Sequence, residues 1–123
     1  MLKVHAKNLG NVAVLCLQGR IVKGETEILR NALDSLSEVS TVILDLARVT
    51  TVDAGGLGVM LELREQAESK GICFELMNVT ELVGRVLEVT RLDSVFEIKS
   101  EVEFFPGVSR NRRASMAALA PCA

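Results

Sequence analysis

The residues whose types and spacing offer chemistry are Asp53, Gly55, Gly56 and Gly58, within Thr50-Thr51-Val52-Asp53-Ala54-Gly55-Gly56-Leu57-Gly58. The stretch follows a β-branched apolar run and opens a helical pattern, so it reads as a strand-to-helix junction. An Asp at that point caps the helix by accepting hydrogen bonds from its free amides. Bare amides at a helix start also attract anions, because they are unpaired and the macrodipole is positive there. The stretch contains no Ser, Cys, His or Lys. It offers a fixed charge and open backbone, with no nucleophile beyond two threonines on its strand side.

Nucleotide motifs fail at this junction. Gly56-x-Gly58 is followed by Leu61 where a dinucleotide fingerprint needs its third glycine, and no Gly-Lys-Ser/Thr follows for a P-loop. Catalysis finds little elsewhere. The single histidine, His5, falls on the polar face of an alternating segment. No Ser or Cys has a base nearby in the expected layout. Asp45 stands in a buried-strand run and reads as a structural acid. No enzyme activity, metal or cofactor is therefore expected.

The elements that must position the junction follow from periodicity. Leu2, Val4 and Ala6 alternate with Lys3, His5 and Lys7, which predicts a half-exposed strand. Asn8-Leu9-Gly10-Asn11 predicts a turn into a second, more buried strand over Val12–Leu17, ended by Gly19. Ile28, Leu29, Ala32, Leu33 and Leu36 predict an amphipathic helix from Gly24 or Glu25 to Ser37. Thr41–Leu46 reads as a strand buried on both faces. A helix over Gly55–Lys70 follows, with Gly71 as its C-terminal cap. Ile72–Asn78 is a strand, Thr80 caps a short helix carrying Leu82, Val83, Val86 and Leu87, and Val95–Ile98 is an edge strand. Leu57, Val59, Met60, Leu61 and Leu63 cover a wide arc of the second helix, which leaves room for an exposed apolar patch near Gly58.

The order β-β-α-β-α-β-α-β predicts one α/β domain over residues 1–100. Its sheet is mixed and mostly parallel, with helices packed on it. Residues 101–123, with Pro106-Gly107, Arg110, Arg112, Arg113 and a small-residue end, read as a flexible C-terminal tail.

Composition narrows the function classes. The chain has 123 residues, 49% hydrophobic and 24% charged, with a net charge of −2. That charge gives no basic field for nucleic acid, and the absence of Trp and Tyr removes most stacking platforms. The longest apolar run, Val12–Leu17, is too short to span a bilayer, and the N-terminal residues do not resemble a signal peptide. The three cysteines lack CxxC spacing, and Cys16 and Cys73 read as small core hydrophobes. A soluble, cytoplasmic protein is expected.

Leu44-Asp45-Leu46, Val49 and Val52-Asp53-Ala54-Gly55-Gly56-Leu57-Gly58 resemble the signature of STAS domains, more narrowly of bacterial anti-sigma factor antagonists. The family motif reads Asp-Ser-Ser-Gly-Leu-Gly, so Asp53, Gly56, Leu57 and Gly58 match it. The resemblance implies a protein partner, an ATP-binding anti-sigma factor that is also a serine kinase. It binds through Asp53, Ala54, Gly55, Gly56, Leu57, Gly58, Met60 and Leu61, with Arg20 and Val22 from the loop after strand two. The family's phosphoacceptor is the second serine of the motif, and here that position is Gly55. Val22 stands where the family often carries an Asp. Thr51 and Ser115 remain as alternative hydroxyls, although Thr51 is out of line with position 55. The resemblance leaves a homodimer open. It also leaves open another kind of STAS module, as a subunit of a lipid-transport ATPase or stressosome-like assembly, or as a nucleotide- or lipid-binding domain.

Overall fold

The structure, a computed structural model, describes residues 2–36 and 38–99. Its elements run β1 (Lys3–Leu9), β2 (Val12–Ile21), α1 (Glu27–Asp34), β3 (Thr41–Val52), α2 (Ala54–Ser69), β4 (Cys73–Met77), α3 (Glu81–Val89) and β5 (Glu97–Lys99). They build one α/β domain with a mixed five-stranded sheet in the order β1-β2-β3-β4-β5. β1 pairs antiparallel with β2 through the Gly10-Asn11 turn, and every other pair is parallel. The expected tail over 101–123 lies outside the described residues.

The strand order places the helices. Each parallel connection steps one strand in the same direction, and right-handed crossovers then put α1, α2 and α3 on one face. The main core forms on that side. Leu15 and Leu17 of β2, Leu44 and Leu46 of β3 and Leu76 of β4 face Leu29 of α1, Met60 and Leu63 of α2 and Leu87 of α3. Burial of such side chains contributes about 1.5–3 kcal/mol each.

β5 starts two residues later than expected, because Val95 and Phe96 turn back onto the Leu92 carbonyl, and three other elements differ more. β2 runs on through Gly19 to Ile21, because Gly19 takes a positive φ of 109° and lets the strand kink past two register shifts instead of ending. β3 continues to Val52, well past its apolar run, because Val49 and Val52 still face the core while Ala47 and Arg48 face water. α1 starts only at Glu27, after a turn at Val22–Glu25, and its leading Thr26 makes no side-chain capping bond. Cys16 is buried as expected. Cys73 is exposed, since it opens β4 on the side opposite Phe74 and sits at the rim of the sheet.

Candidate functional site

The site forms where β3 ends beside β2. Ile21 pairs with Val52 in the parallel ladder, and Arg20 pairs with Thr51. The next residue, Asp53, is extended (φ −105°, ψ −179°) and its N–H donates to the Ile21 carbonyl at 3.3 Å. Its side chain then turns to the helix. Asp53 Oδ1 accepts from the Gly56 N–H at 2.7 Å, which caps α2.

The same carboxylate has a second task. Lys23 N–H reaches both oxygens, at 3.1 Å from Oδ1 and 3.2 Å from Oδ2. Lys23 lies in the turn after β2, closed by Glu25 N–H donating to the Val22 carbonyl at 3.0 Å. Gly24 supplies the positive φ, 88°, that a type II turn requires. Asp53 thereby ties the β2–α1 loop to the start of α2. The Gly56 amide, then those of Lys23 and Gly55, hold the Asp53 carboxyl below the usual carboxylate range. The site keeps a fixed negative charge at neutral pH.

The glycines have steric roles that differ from one to the next. A Cβ on Gly56 would stand 1.9 Å from the Ile21 carbonyl oxygen, so only glycine lets the helix approach the strand this closely. A Cβ on Gly55 would stand 2.6 Å from Lys23 Cβ and 3.2 Å from Lys23 Cα. Position 55 therefore lacks both a hydroxyl and room for one while the loop holds this shape. Gly58 faces open space.

Exposure sorts the expected site residues. Asp53, Ala54, Gly58 and Arg20 are exposed, and Val22, Gly55, Leu61 and Thr51 are half-buried. Gly56, Leu57 and Met60 are buried, Met60 completely, so they hold α2 on the sheet from beneath. No large apolar side chain of α2 is strongly exposed, because Val59 and Leu61 pack partly against the main core. The expected apolar patch near Gly58 is absent among the described residues. Arg20 pairs with Glu25 at 3.1 Å beside the loop. The Thr50 hydroxyl donates to the Gly19 carbonyl at 3.1 Å. Ser115 lies outside the described residues.

Lys23 is the site residue that sequence reading missed. Its contact with Asp53 spans thirty positions, and no local pattern signals it. Asp45 is buried on β3 and accepts from the Ala47 N–H at 3.0 Å and the Asn78 side-chain amide at 3.3 Å, a structural role. His5 is exposed on β1. No cluster of metal-ligating side chains exists among the described residues, and no described helix is long and apolar enough to cross a membrane. A hollow of about 390 Å³ lined by Arg64, Glu68, Ile72, Phe74 and Val95 lies at the C-terminal end of α2, away from Asp53. The loop itself is a surface.

A family model described as STAS domain matches residues 3–105. The chain belongs to the STAS domain family. A STAS-domain containing protein of Pseudomonas aeruginosa is 26% identical over 90 residues, covering 72% of this chain and 89% of the relative. Among solved structures, a putative anti-sigma factor antagonist from Thermotoga maritima superposes with a TM-score of 0.72 at 23% identity, covering 86% of this chain and 94% of its own. A sulfate transporter family protein from Wolinella succinogenes superposes with a TM-score of 0.65 at 23% identity, covering 72% and 75%. At these identities the structural likeness establishes a shared STAS fold, and the site geometry must carry any finer reading.

Proposed function

We propose that this STAS domain is a non-catalytic, cytoplasmic interaction module of the antagonist kind. It binds an ATP-binding anti-sigma factor and so influences sigma-factor-dependent transcription, without phosphorylation at position 55. One observation carries the reading. The start of α2 keeps the charged, rigid geometry of a docking loop, with Asp53 bonded to both Gly56 and Lys23, while Gly55 has no hydroxyl and Lys23 fills the space beside it. The partner would meet Asp53, Ala54, Gly58 and Arg20, together with the Lys23 turn. A phosphate added here would bring nearly two negative charges next to Asp53 and drive a partner away. Gly55 removes that route to release.

The test mixes the purified chain with the ATP-binding anti-sigma factor of the same organism, with and without ATP. Complex formation by gel filtration and intact mass are both recorded. The expected result is a complex that persists in ATP, with no mass gain on residues 50–58. A gain of about 80 Da, one phosphoryl group, on that loop together with release of the partner would refute the reading. Failure to bind in either condition would also refute it.

The likeness to the sulfate transporter family protein supports a second reading, in which the domain serves a larger transport assembly. A pull-down from native lysate separates the two. Recovery of a transporter ATPase in place of a histidine-kinase-like ATPase would favour the second.

A further inference from the structure

The sheet ends on two very different edges. β5 is three residues long, whereas β1, at the other end of the order, runs seven residues from Lys3 to Leu9. A free edge strand carries a row of unpaired N–H and C=O groups, and proteins blunt it by shortness, proline, a bulge or charge. β1 is long, contains no proline, and keeps unbroken register with β2 from Lys3 opposite Gln18 to Leu9 opposite Val12. Charge is the device it has. Lys3, His5 and Lys7 alternate along β1 and so share one face. It is the face turned from the helices, because Cys16 and Val14, opposite His5 and Lys7, belong to the apolar cluster on that side. Lys3 and His5 are exposed and Lys7 is half-buried. No ion pair among the described residues includes any of the three.

The acids of the helix-free face do not neutralise this row. Asp45 is buried and already engaged by the Ala47 N–H, the Asn78 side-chain amide and the Cys16 thiol. Glu75 and Glu97 lie three and four strands from β1, about 14 and 19 Å away, beyond the screening length of about 8 Å. Arg48 adds a further positive charge, since it lies opposite Gln18, itself opposite Lys3. On the other face, α1 packs against β1. Its Glu27 and Asp34 stand about 140–160° round from the buried Leu29, on the side turned from the sheet. Arg30 faces α2 through its pair with Glu62. Ile28 lies about 160° round from Arg30, so this 45% exposed side chain projects on the β1 side of α1.

We propose that the outer edge of β1 takes up an extended acidic segment of a protein partner as an added strand. Acids at every second position would lie beside Lys3, His5 and Lys7, and the apolar side chains between them beside Val4 and Ile28. This surface is separate from the start of α2. A second copy fits it poorly. Antiparallel self-pairing centred on His5 sets Lys3 against Lys7 twice, and like charges directly opposite are destabilising. An acidic strand turns the same positions into opposite-charge pairs, which give specificity to main-chain hydrogen bonds that any strand could make.

The full-length chain is titrated with two labelled peptides, fluorescein-Thr-Glu-Val-Glu-Val-Glu-Thr-amide and its counterpart with lysine for glutamate, and anisotropy gives the affinities. The acidic peptide is expected to bind about tenfold tighter or more, as opposite-charge pairs replace like-charge ones. A Lys3→Glu, Lys7→Glu variant is expected to reverse that preference. A Lys70→Glu, Arg85→Glu variant makes the same change in net charge away from β1 and is expected to keep it. Amide exchange followed by NMR should slow along Lys3–Leu9 when the acidic peptide is bound. Equal affinity for the two peptides, a preference that follows net charge in both variants, or protection elsewhere in the sheet would overturn the proposal. So would protection of β1 that rises with protein concentration without peptide, since a second copy would then be the occupant. Stronger binding to phosphatidylglycerol vesicles than to the acidic peptide would overturn it as well, in favour of an anionic lipid surface.

Discussion

Both α2 and α3 begin where a parallel strand of the sheet has ended, and both begin on a side-chain oxygen that accepts from the third helical N–H. Asp53 accepts from Gly56 at 2.7 Å, and Thr80 accepts from Val83 at 3.3 Å. There the likeness stops. Thr80 serves its own helix, whereas Asp53 also holds the Lys23 amide of a different loop. The glycine in α3, Gly84, has ordinary room, since its Cβ would stand 3.6 Å from Val79 Cγ1. Gly55 and Gly56 of α2 fit against the turn after β2 and against β2 itself with no space to spare. The difference separates a helix start that only needs satisfied amides from one that fixes two loops into a single surface.

The sharpest break of that comparison is Gly56→Ala against Gly84→Ala. At position 56 the new methyl meets a backbone carbonyl that cannot swing aside. A loss of about 3 kcal/mol or more, at the upper end of overpacking effects, is expected by urea denaturation. At position 84 the same methyl makes normal contact, and the gain in helix propensity leaves stability equal or slightly higher. A mild effect at position 56 would mean that the close approach of α2 to Ile21 is not required.

Gly55→Ser follows in size. Its Cβ displaces Lys23 Cβ, so the loop must shift and the two Lys23–Asp53 hydrogen bonds loosen, at a cost of about 1–2 kcal/mol. The serine alone is expected to be a poor phosphoacceptor. Pairing it with Lys23→Gly removes the obstructing side chain and should restore stability more than Lys23→Gly alone changes it. Intact mass after incubation with the kinase and ATP reads whether the double variant accepts a phosphate where the single one does not.

The caps come next. Thr80→Ala is expected to cost about 1 kcal/mol at any pH between 4 and 8, because no charge is involved. Asp53→Asn keeps a capping oxygen and removes only the charge, so it should lower the melting temperature at pH 7, and the loss should depend on pH. The amides of Gly56, Lys23 and Gly55 lower the folded-state pKa of Asp53. Its ionised form therefore stabilises the fold above the ordinary carboxylate range, and this is lost as pH falls through the depressed folded value. The melting difference between the native chain and Asp53→Asn should shrink toward zero on acidification. A difference that stays constant to low pH would show that the charge of Asp53 plays no part.

These effects also mark what the sequence could and could not reveal. The element order, the opening hairpin and both caps were legible because each is written in neighbouring residues: alternation over Leu2–Lys7, and Asp or Thr ahead of an apolar helix stripe. In the sequence alone, Gly55 and Gly56 read as bare amides open to a partner. Their steric roles are not legible locally, because the crowding atoms belong to Ile21 and Lys23, more than thirty positions earlier. The expectation settles on Val22, one residue short, because the family's loop acid falls at position 22, whereas Lys23 makes the contact. Met60 counts among the expected partner contacts, but a helical projection carries no information on how deeply α2 settles on the sheet. The helix-free face was invisible for a related reason. It follows from strand order, and β2 reads as uniformly apolar whether one face or both are covered.

Gly58 gives the smallest effect and isolates docking from folding. It is exposed within α2, has no positive φ, and a Cβ there meets nothing within 4 Å. Gly58→Ala should therefore raise stability by about 0.5–1 kcal/mol through helix propensity alone. If a partner seats on the start of α2, that methyl intrudes on the contact, and affinity should fall while stability rises. Isothermal titration with the anti-sigma factor, beside a melting curve of the same sample, reads both. Gly84→Ala, with its α3 start engaged in no second loop, serves as the matched control and should leave affinity unchanged. Equal affinities for the two variants would move the docking surface away from Asp53 and the α2 start, because no folding defect could then mask an interface effect.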